Sequence, residues 1–289
     1  MNKKILVTGS NGQLGNELRK TSAQYPGFEI IFTDLPELDI TDQYATDDFF
    51  KNQKPDFLIN CAAYTAVDKA ESEPEKADQI NAKATALLAA GAARYNFKLV
   101  HISTDYVFNG QHYKPYTEDD ATSPQSAYGR SKLAGEEAIR QSGAHSLILR
   151  TSWLYSAYGH NFVKTILRLA KERSEIKVVF DQVGTPTWAA DLARCILSMI
   201  DKPQPERCSI YHYSNEGVCS WYDFAQTIIK TEGLNCRVLP VRSKEFPTPA
   251  PRPAFSVLDK SKIKKDFSVQ IPWWQESLRK CLKRVNNEK

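Results

Sequence analysis

A strand that ends in three evenly spaced glycines and passes directly into a helix leaves a chain few folds to choose from. Residues 4–8 form a short β-branched run, and Thr8-Gly9-Ser10-Asn11-Gly12-Gln13-Leu14-Gly15 leads from it into a helical pattern over 13–23. The first glycine permits a tight turn, the second lets backbone approach a pyrophosphate, and the third lets the helix pack closely on the strand. The helix N-terminus then aims its free amides and its dipole at the phosphates. Gly9, Ser10, Asn11, Gly12, Gln13 and Leu14 are therefore the expected cofactor contacts. Three glycines alone carry little weight, but their position inside a βαβ unit points to dinucleotide binding. An acidic residue about 20 positions further on is expected at the adenosine ribose, and Asp34 closes the second strand candidate. Its charge opposes a 2′-phosphate and favours NADH over NADPH, although a mobile loop here accommodates both. Asp39 and Ile40 follow, placed to flank the adenine with a side chain and backbone.

The same alternation continues. Strands are expected over 4–8, 29–33, 56–61, 98–103 and 146–151, and helices over 13–23, 42–52, 74–95 and 127–141. Short β-branched runs separated by longer helical patterns describe a parallel sheet covered on both faces. Short right-handed connections make it an α/β fold, a Rossmann-like doubly wound parallel sheet. After Thr151 the rhythm loosens. A helix over 161–172, a strand over 176–180 and a helix over 189–199 precede a proline-rich break at 201–205, and a helix over 220–231, a proline-rich loop at 246–253 and an amphipathic helix around 274–285 follow. The expected organisation is a cofactor-binding Rossmann domain over 1–155, with 156–289 forming mostly a smaller C-terminal substrate-binding lobe and some segments returning to the core. Open α/β sheets place their ligands at the carboxyl ends of the strands, where such a lobe would lie.

Composition excludes several functions. The 289 residues carry 38 Lys and Arg against 34 Asp and Glu, and no basic block tracks a phosphate backbone, so no nucleic-acid partner is expected. The apolar stretch after Lys3-Lys4 is too short for a signal-peptide core, and no run approaches the roughly 20 apolar residues of a membrane span. The six cysteines form no Cys-x-x-Cys pair and indicate neither zinc nor a disulfide framework. They suit a cytoplasmic protein with reduced thiols.

The chemistry is suggested by Ala127-Tyr128-Gly129-Arg130-Ser131-Lys132, where tyrosine and lysine four residues apart project from one face of a helix. An ammonium beside the phenol would lower the tyrosine pKa toward working pH, as a general acid or base requires. The lysine can also hold the nicotinamide ribose. Thr104, at the end of the fourth strand, can donate to the carbonyl oxygen that Tyr128 protonates. Thr104, Tyr128 and Lys132 are the expected catalytic set, with Tyr128 and Lys132 also touching cofactor.

These residues form the set of the short-chain dehydrogenase/reductase superfamily, extended type, which the chain resembles over its first half. It resembles most the dTDP-4-dehydrorhamnose reductase family, over nearly its whole length, through Asn60-Cys61-Ala62-Ala63-Tyr64-Thr65-Ala66-Val67-Asp68, Ser103-Thr104-Asp105-Tyr106-Val107-Phe108, Arg150-Thr151-Ser152-Trp153, Asn161-Phe162-Val163-Lys164-Thr165, Gln182-Val183-Gly184-Thr185-Pro186-Thr187 and Arg252-Pro253. The resemblance implies NAD(P)H-dependent reduction of the C4 keto group of dTDP-4-dehydro-6-deoxy-L-mannose to dTDP-L-rhamnose, a precursor of surface polysaccharide. It implies that Thr104, Asp105 and Trp153 face the sugar and that Ala62, Ala63 and Tyr64 line the cofactor. Arg252 has the planar fork that suits a diphosphate. Related 4,6-dehydratases carry a glutamate base where Tyr106 stands, so dehydration is not expected. Some members form Mg²⁺-bridged dimers through two glutamates. Glu17 matches the first, but Trp188-Ala189-Ala190-Asp191 puts alanine at the second. Losing a carboxylate weakens an oxygen-ligand site, so no metal and a monomer or weak homodimer are expected. A reductase or epimerase of another nucleotide sugar, or a non-catalytic regulatory subunit that keeps the cofactor fold, are the alternatives.

Overall fold

The computed structural model describes residues 2–200, 202–203 and 207–287. Of the proline-rich break expected at 201–205, residues 201, 204 and 205 lie outside the described residues. The chain forms β1 (Lys3–Thr8), α1 (Gln13–Ser22), β2 (Phe28–Thr33), α2 (Gln43–Gln53), β3 (Phe57–Asn60), α3 (Val67–Ser72), α4 (Pro74–Asp78), a π-helical turn (Gln79–Lys83), α5 (Ala84–Tyr95), β4 (Lys98–Thr104), α6 (Ala127–Ser142) and β5 (Ser146–Thr151). It continues through β6 (Leu154–Tyr155), α7 (Phe162–Glu172), β7 (Glu175–Val179), β8 (Val183–Gly184), β9 (Thr187–Trp188), α8 (Ala189–Ile200), β10 (Cys208–Tyr213), β11 (Cys219–Ser220), α9 (Trp221–Thr231), β12 (Arg237–Val241), α10 (Ser261–Phe267) and α11 (Trp274–Asn287).

The main sheet is parallel and six-stranded, in the order β10-β5-β4-β3-β1-β2. Side chains alternate across it. Ile5 and Val7 of β1 pack with Leu14 and Leu18 of α1 and Leu192 and Ile196 of α8, while Leu6 between them meets Phe50 of α2, Leu88 of α5 and Ile139 of α6. Because both faces are buried, the strands read as continuous apolar runs, and each fully buried aliphatic side chain contributes about 2 kcal/mol. β2 lies on one side of β1 and β3 on the other, so the winding direction reverses between β1 and β3. The crevice beyond the carboxyl ends of the strands at such a reversal is where this class of sheet binds ligands.

A second core holds the C-terminal lobe: Val163 and Ile166 of α7, Ile176 and Val178 of β7, Phe224 and Ile228 of α9, and Leu278 and Leu282 of α11. The chain crosses between the two cores more than once. α8, β10 and α10 lie beyond Thr151 yet belong to the main sheet and its covering layer. β10 and α10 were not among the expected elements, because a six-residue edge strand with three aromatic or imidazole side chains has no clear period. The helix expected over 74–95 is interrupted by the π-helical turn, and α3 precedes it.

Candidate active site

The reversal point opens a cleft of about 560 Å³. From the ends of β1, β3, β4 and β5 it draws Gly9, Gly12, Gln13, Leu14, Cys61, Ala63, Thr104, Asp105 and Trp153, from α6 Tyr128 and Lys132, and from the lobe Trp221.

The glycine turn is shaped for a bulky anion. Gly9 has φ +66°, a left-handed conformation, and a Cβ there would lie 2.5 Å from the Ala62 nitrogen. The turn is tied by the Gly12 amide donating to the Gly9 carbonyl at 3.1 Å. Gly12 caps α1 without a side chain, so the first helical turn receives no side-chain cap from that position. That cradle fits a dinucleotide pyrophosphate. Gly9→Ala is expected to weaken reduced-nicotinamide binding at least about tenfold, since left-handed strain alone costs ~1–3 kcal/mol and backbone blocks the methyl. A fluorescence titration of NADPH measures it, and unchanged affinity would remove the cradle from the binding site.

Other expected cofactor residues lie around this turn rather than on the cleft surface. Ser10 is buried beneath it and accepts a hydrogen bond from Arg19 at 3.3 Å. Asp34 accepts the Asn11 and Leu35 amides at 2.9 Å each, closing the turn against the end of β2. Asp39 accepts the Thr41 amide and hydroxyl, and the Ile40 side chain is buried with Leu6 and Phe50, which leaves only the backbone of Ile40 for a ligand. Ala62 donates its amide to Asn60. Tyr64 gives its hydroxyl to Glu73 at 2.8 Å, and Asn81 clamps its backbone from both sides.

Asn81 sits in the π-helical turn and also donates to the Ser131 hydroxyl, one residue before Lys132. One buried amide thus joins the segment after β3 to the tyrosine-lysine helix. A π-turn inserts one extra residue into a helix and is common at functional sites. Nothing in the helical period of 74–95 marks it.

α6 starts at Ser126, whose hydroxyl accepts the Gly129 amide, and ends at Gly143 with φ +72°. At Gly129 a Cβ would lie 2.3 Å from the Tyr106 carbonyl oxygen, so glycine lets this helix approach the end of β4. The approach brings the Tyr128 phenol to the Thr104 hydroxyl. Burial pushes the Tyr128 phenol up to about 12, and its hydrogen bond with Thr104 only partly opposes this. The expected lowering by a neighbouring ammonium is absent. The Lys132 nitrogen turns instead to the Ile102 carbonyl at 2.7 Å and to His101 Nε2 at 3.1 Å, and burial brings it down to about 8. A lysine four residues along a helix reaches whichever partner the adjoining strand offers, and here that strand carries His101.

Thr104 donates to Asp105 Oδ1 at 3.0 Å and accepts the Tyr106 amide at 3.2 Å. Burial raises the Asp105 carboxyl to about 7. Its Oδ2 meets no donor in hydrogen-bonding geometry, although the Ser256 hydroxyl, likewise unpaired, lies near enough to favour the charged form. Tyr106 packs edge-on to Tyr128 with ring centroids 5.6 Å apart, and burial pushes its phenol up, so it is no base.

Trp153 forms the opposite wall. It holds φ +47°, strained for a bulky residue, and stacks on Trp221 with centroids 3.6 Å apart and planes 9° from parallel. Trp221, the first residue of α9, carried no signal in the sequence beyond being aromatic. Arg252 lies outside the cleft, in an adjoining hollow of about 270 Å³ that shares Tyr106, and donates to Asp68 at 2.7 Å.

Glu17 is fully buried, yet its carboxylate is already matched: it accepts from Ser156 and from Arg284, each at 2.8 Å. Arg284 supplies the positive charge that a cation would bring, and the described residues hold no cluster of three or more His, Cys, Asp or Glu side chains placed to bind a metal. These residues do not fit a magnesium site. No helix of the described residues is long and apolar enough to cross a membrane.

Comparison with known proteins matches residues 3–287 to the model of the RmlD substrate binding domain family. The spore coat polysaccharide biosynthesis protein SpsK of Bacillus subtilis is 43% identical over 279 residues, covering 96% of each chain. The dTDP-4-dehydrorhamnose reductase of Aggregatibacter actinomycetemcomitans is 40% identical, covering 96% of this chain and 97% of its own. The crystal structure of dTDP-4-dehydrorhamnose reductase from Bacillus anthracis in complex with NADP superimposes with a TM-score of 0.94 at 39% identity, over 98% of this chain and 100% of the other.

Proposed function

The chain belongs to the RmlD family of dTDP-4-dehydrorhamnose reductases, and from that premise we propose that it reduces the C4 ketone of dTDP-4-dehydro-6-deoxy-L-mannose to dTDP-L-rhamnose, using NADPH or NADH. The observation that carries this reading is the convergence of Thr104, Tyr128 and Lys132 on one cleft with the glycine cradle. When bound, the dinucleotide supplies hydride to the ketone carbon.

The protein's own residues supply the rest. Gly9, Ser10, Asn11, Gly12, Gln13 and Leu14 hold the pyrophosphate, Asp34, Asp39 and Ile40 the adenosine end, and Ala62, Ala63 and Tyr64 the far side of the cofactor. Tyr128 is the proton donor. A phenol raised to about 12 stays protonated across the physiological range, as an acid that must give its proton to a nascent alkoxide requires. Thr104 steadies the developing charge on the same oxygen. Asp105, with an oxygen free of protein donors, accepts from a sugar hydroxyl. The Trp153-Trp221 pair gives the sugar a flat apolar wall that excludes water. Arg252, across Tyr106 from the cleft, meets the nucleotide diphosphate.

A retained catalytic triad favours an enzyme over a regulatory subunit, and the absence of a base at Tyr106 favours reduction over dehydration. The test is to follow reduced-nicotinamide absorbance with the dTDP keto sugar and with UDP and GDP counterparts. Oxidation with the dTDP sugar alone is expected, and equal rates with all three would refute the assigned base.

We place the enzyme in the cytoplasm, where thiols stay reduced, as a monomer or weak homodimer that needs no Mg²⁺. EDTA is expected to leave both activity and sedimentation unchanged, because Arg284 already neutralises Glu17. A loss of activity restored by Mg²⁺ would overturn this.

A further inference from the structure

Residues 156–161 join β6 to α7, and this loop of the lobe lies against the first turns of the glycine-cradle helix. Asn161 sets its shape. Its Oδ1 caps α7 by accepting the Lys164 amide at 3.1 Å, which leaves Nδ2 to donate to the Ser156 carbonyl at 2.8 Å and to Gln13 Oε1 at 3.0 Å. Lys164 Nζ reaches back to the Ala157 carbonyl at 2.9 Å. Gly159 holds φ +63°, and a Cβ there would lie 3.1 Å from Gln13 Cγ, so loop and helix are in contact. One turn further along α1, Glu17 accepts the Ser156 hydroxyl at 2.8 Å. Gln13 and Glu17 thus fix the loop from one face of α1. Between Gly159 and Asn161 stands His160, which is exposed and lines the cleft together with Gly12, Gln13 and Leu14.

We propose that His160 is a cofactor-binding residue, which donates a ring N–H to a pyrophosphate oxygen from the lobe side while the cradle amides meet the phosphates from the helix side. This rests on the reductase reading of the cleft. A dinucleotide pyrophosphate is a dianion, and the cradle meets it with backbone. The cleft walls carry two basic side chains, Lys132 and His160, and Lys132 gives a proton to the Ile102 carbonyl at 2.7 Å. An imidazole carries at least one ring N–H whatever its charge, so His160 can donate to a phosphate oxygen. Hydrogen bonds to a charged acceptor are the stronger kind. The loop is already fastened through Asn161 and Ser156, so little ordering remains to be done when the ring meets its ligand. The lobe then takes part in holding the cofactor as well as the sugar.

Calorimetric titration of the whole protein with NADPH and, separately, with ADP-ribose tests the proposal. ADP-ribose keeps the pyrophosphate and lacks the nicotinamide. His160→Ala is expected to weaken both ligands about tenfold or more, the loss of one hydrogen bond to a charged group. The contacts that fasten the loop come from Asn161, Lys164 and Ser156, so the substitution leaves them in place. Unchanged NADPH affinity in His160→Ala overturns the proposal. So does a loss seen with NADPH and not with ADP-ribose, which would put the ring on the nicotinamide instead. The sugar assignment can fail in the turnover assay without altering either titration, so the two failures are read apart, and an unaltered protein that binds neither ligand ends both readings.

Discussion

Tyr128→Phe is expected to lower kcat by about a thousandfold, within the range that a well-placed general acid contributes, while NADPH binds as before. The substitution removes one oxygen and leaves the ring, its edge-on contact with Tyr106 and the course of α6 in place. The loss therefore falls on the step in which a proton reaches the ketone oxygen, and only weakly on the cradle at Gly9. Thr104 does not substitute, because an aliphatic hydroxyl can donate a hydrogen bond to the developing alkoxide but is too weak an acid to give up its proton. Burial raises the phenol to about 12, so its loss of activity should be the same from pH 6 to 9. Single-turnover measurement of cofactor oxidation gives the chemical step, and fluorescence titration gives the binding. Retention of wild-type turnover would remove Tyr128 from the mechanism.

Arg150→Met is expected to destabilise the fold by about 3–5 kcal/mol, the cost of leaving a buried charge without its partner. Arg150 on β5 and Glu136 on α6 are almost wholly buried, joined by a bidentate pair whose shortest contact is 2.7 Å. The guanidinium also lies 5.0 Å from the Phe108 ring centroid. Methionine fills similar space but leaves the Glu136 carboxylate with only the Ser103 hydroxyl at 2.5 Å. A melting temperature lower by on the order of 10 °C is expected. Replacing both partners, Arg150→Met with Glu136→Leu, should recover most of the loss, since the pair itself is close to neutral against apolar residues. If the single variant melts within a degree or two of the wild type, the carboxylate is solvated or protonated and the pair is not the fastening between α6 and β5.

The main features of the cofactor half were legible in the residues. The short β-branched runs and the helical patterns between them gave five of the six strands of the main sheet and most of its helices. The spacing of Gly9, Gly12 and Gly15 marked the turn, and Tyr128 with Lys132 marked the helix beside it. The lobe was harder to read. β10 and α10 return to the main sheet from beyond residue 200, and no local pattern announces which core a short segment will join.

Local order is written locally: helical spacing, the cap at Ser126 and the left-handed turn at Gly9 depend on neighbours within a turn or two, so the sequence alone was enough to read the α/β sheet and the position of its glycine cradle. Which atom Lys132 touches, that Trp221 stacks on Trp153, that Arg284 neutralises Glu17 and that Arg252 turns to Asp68 were decided only by the tertiary structure. Those contacts join residues from about 30 to more than 260 positions apart, and their geometry is set by how sheet, helices and lobe pack, since a long side chain takes the best partner within reach.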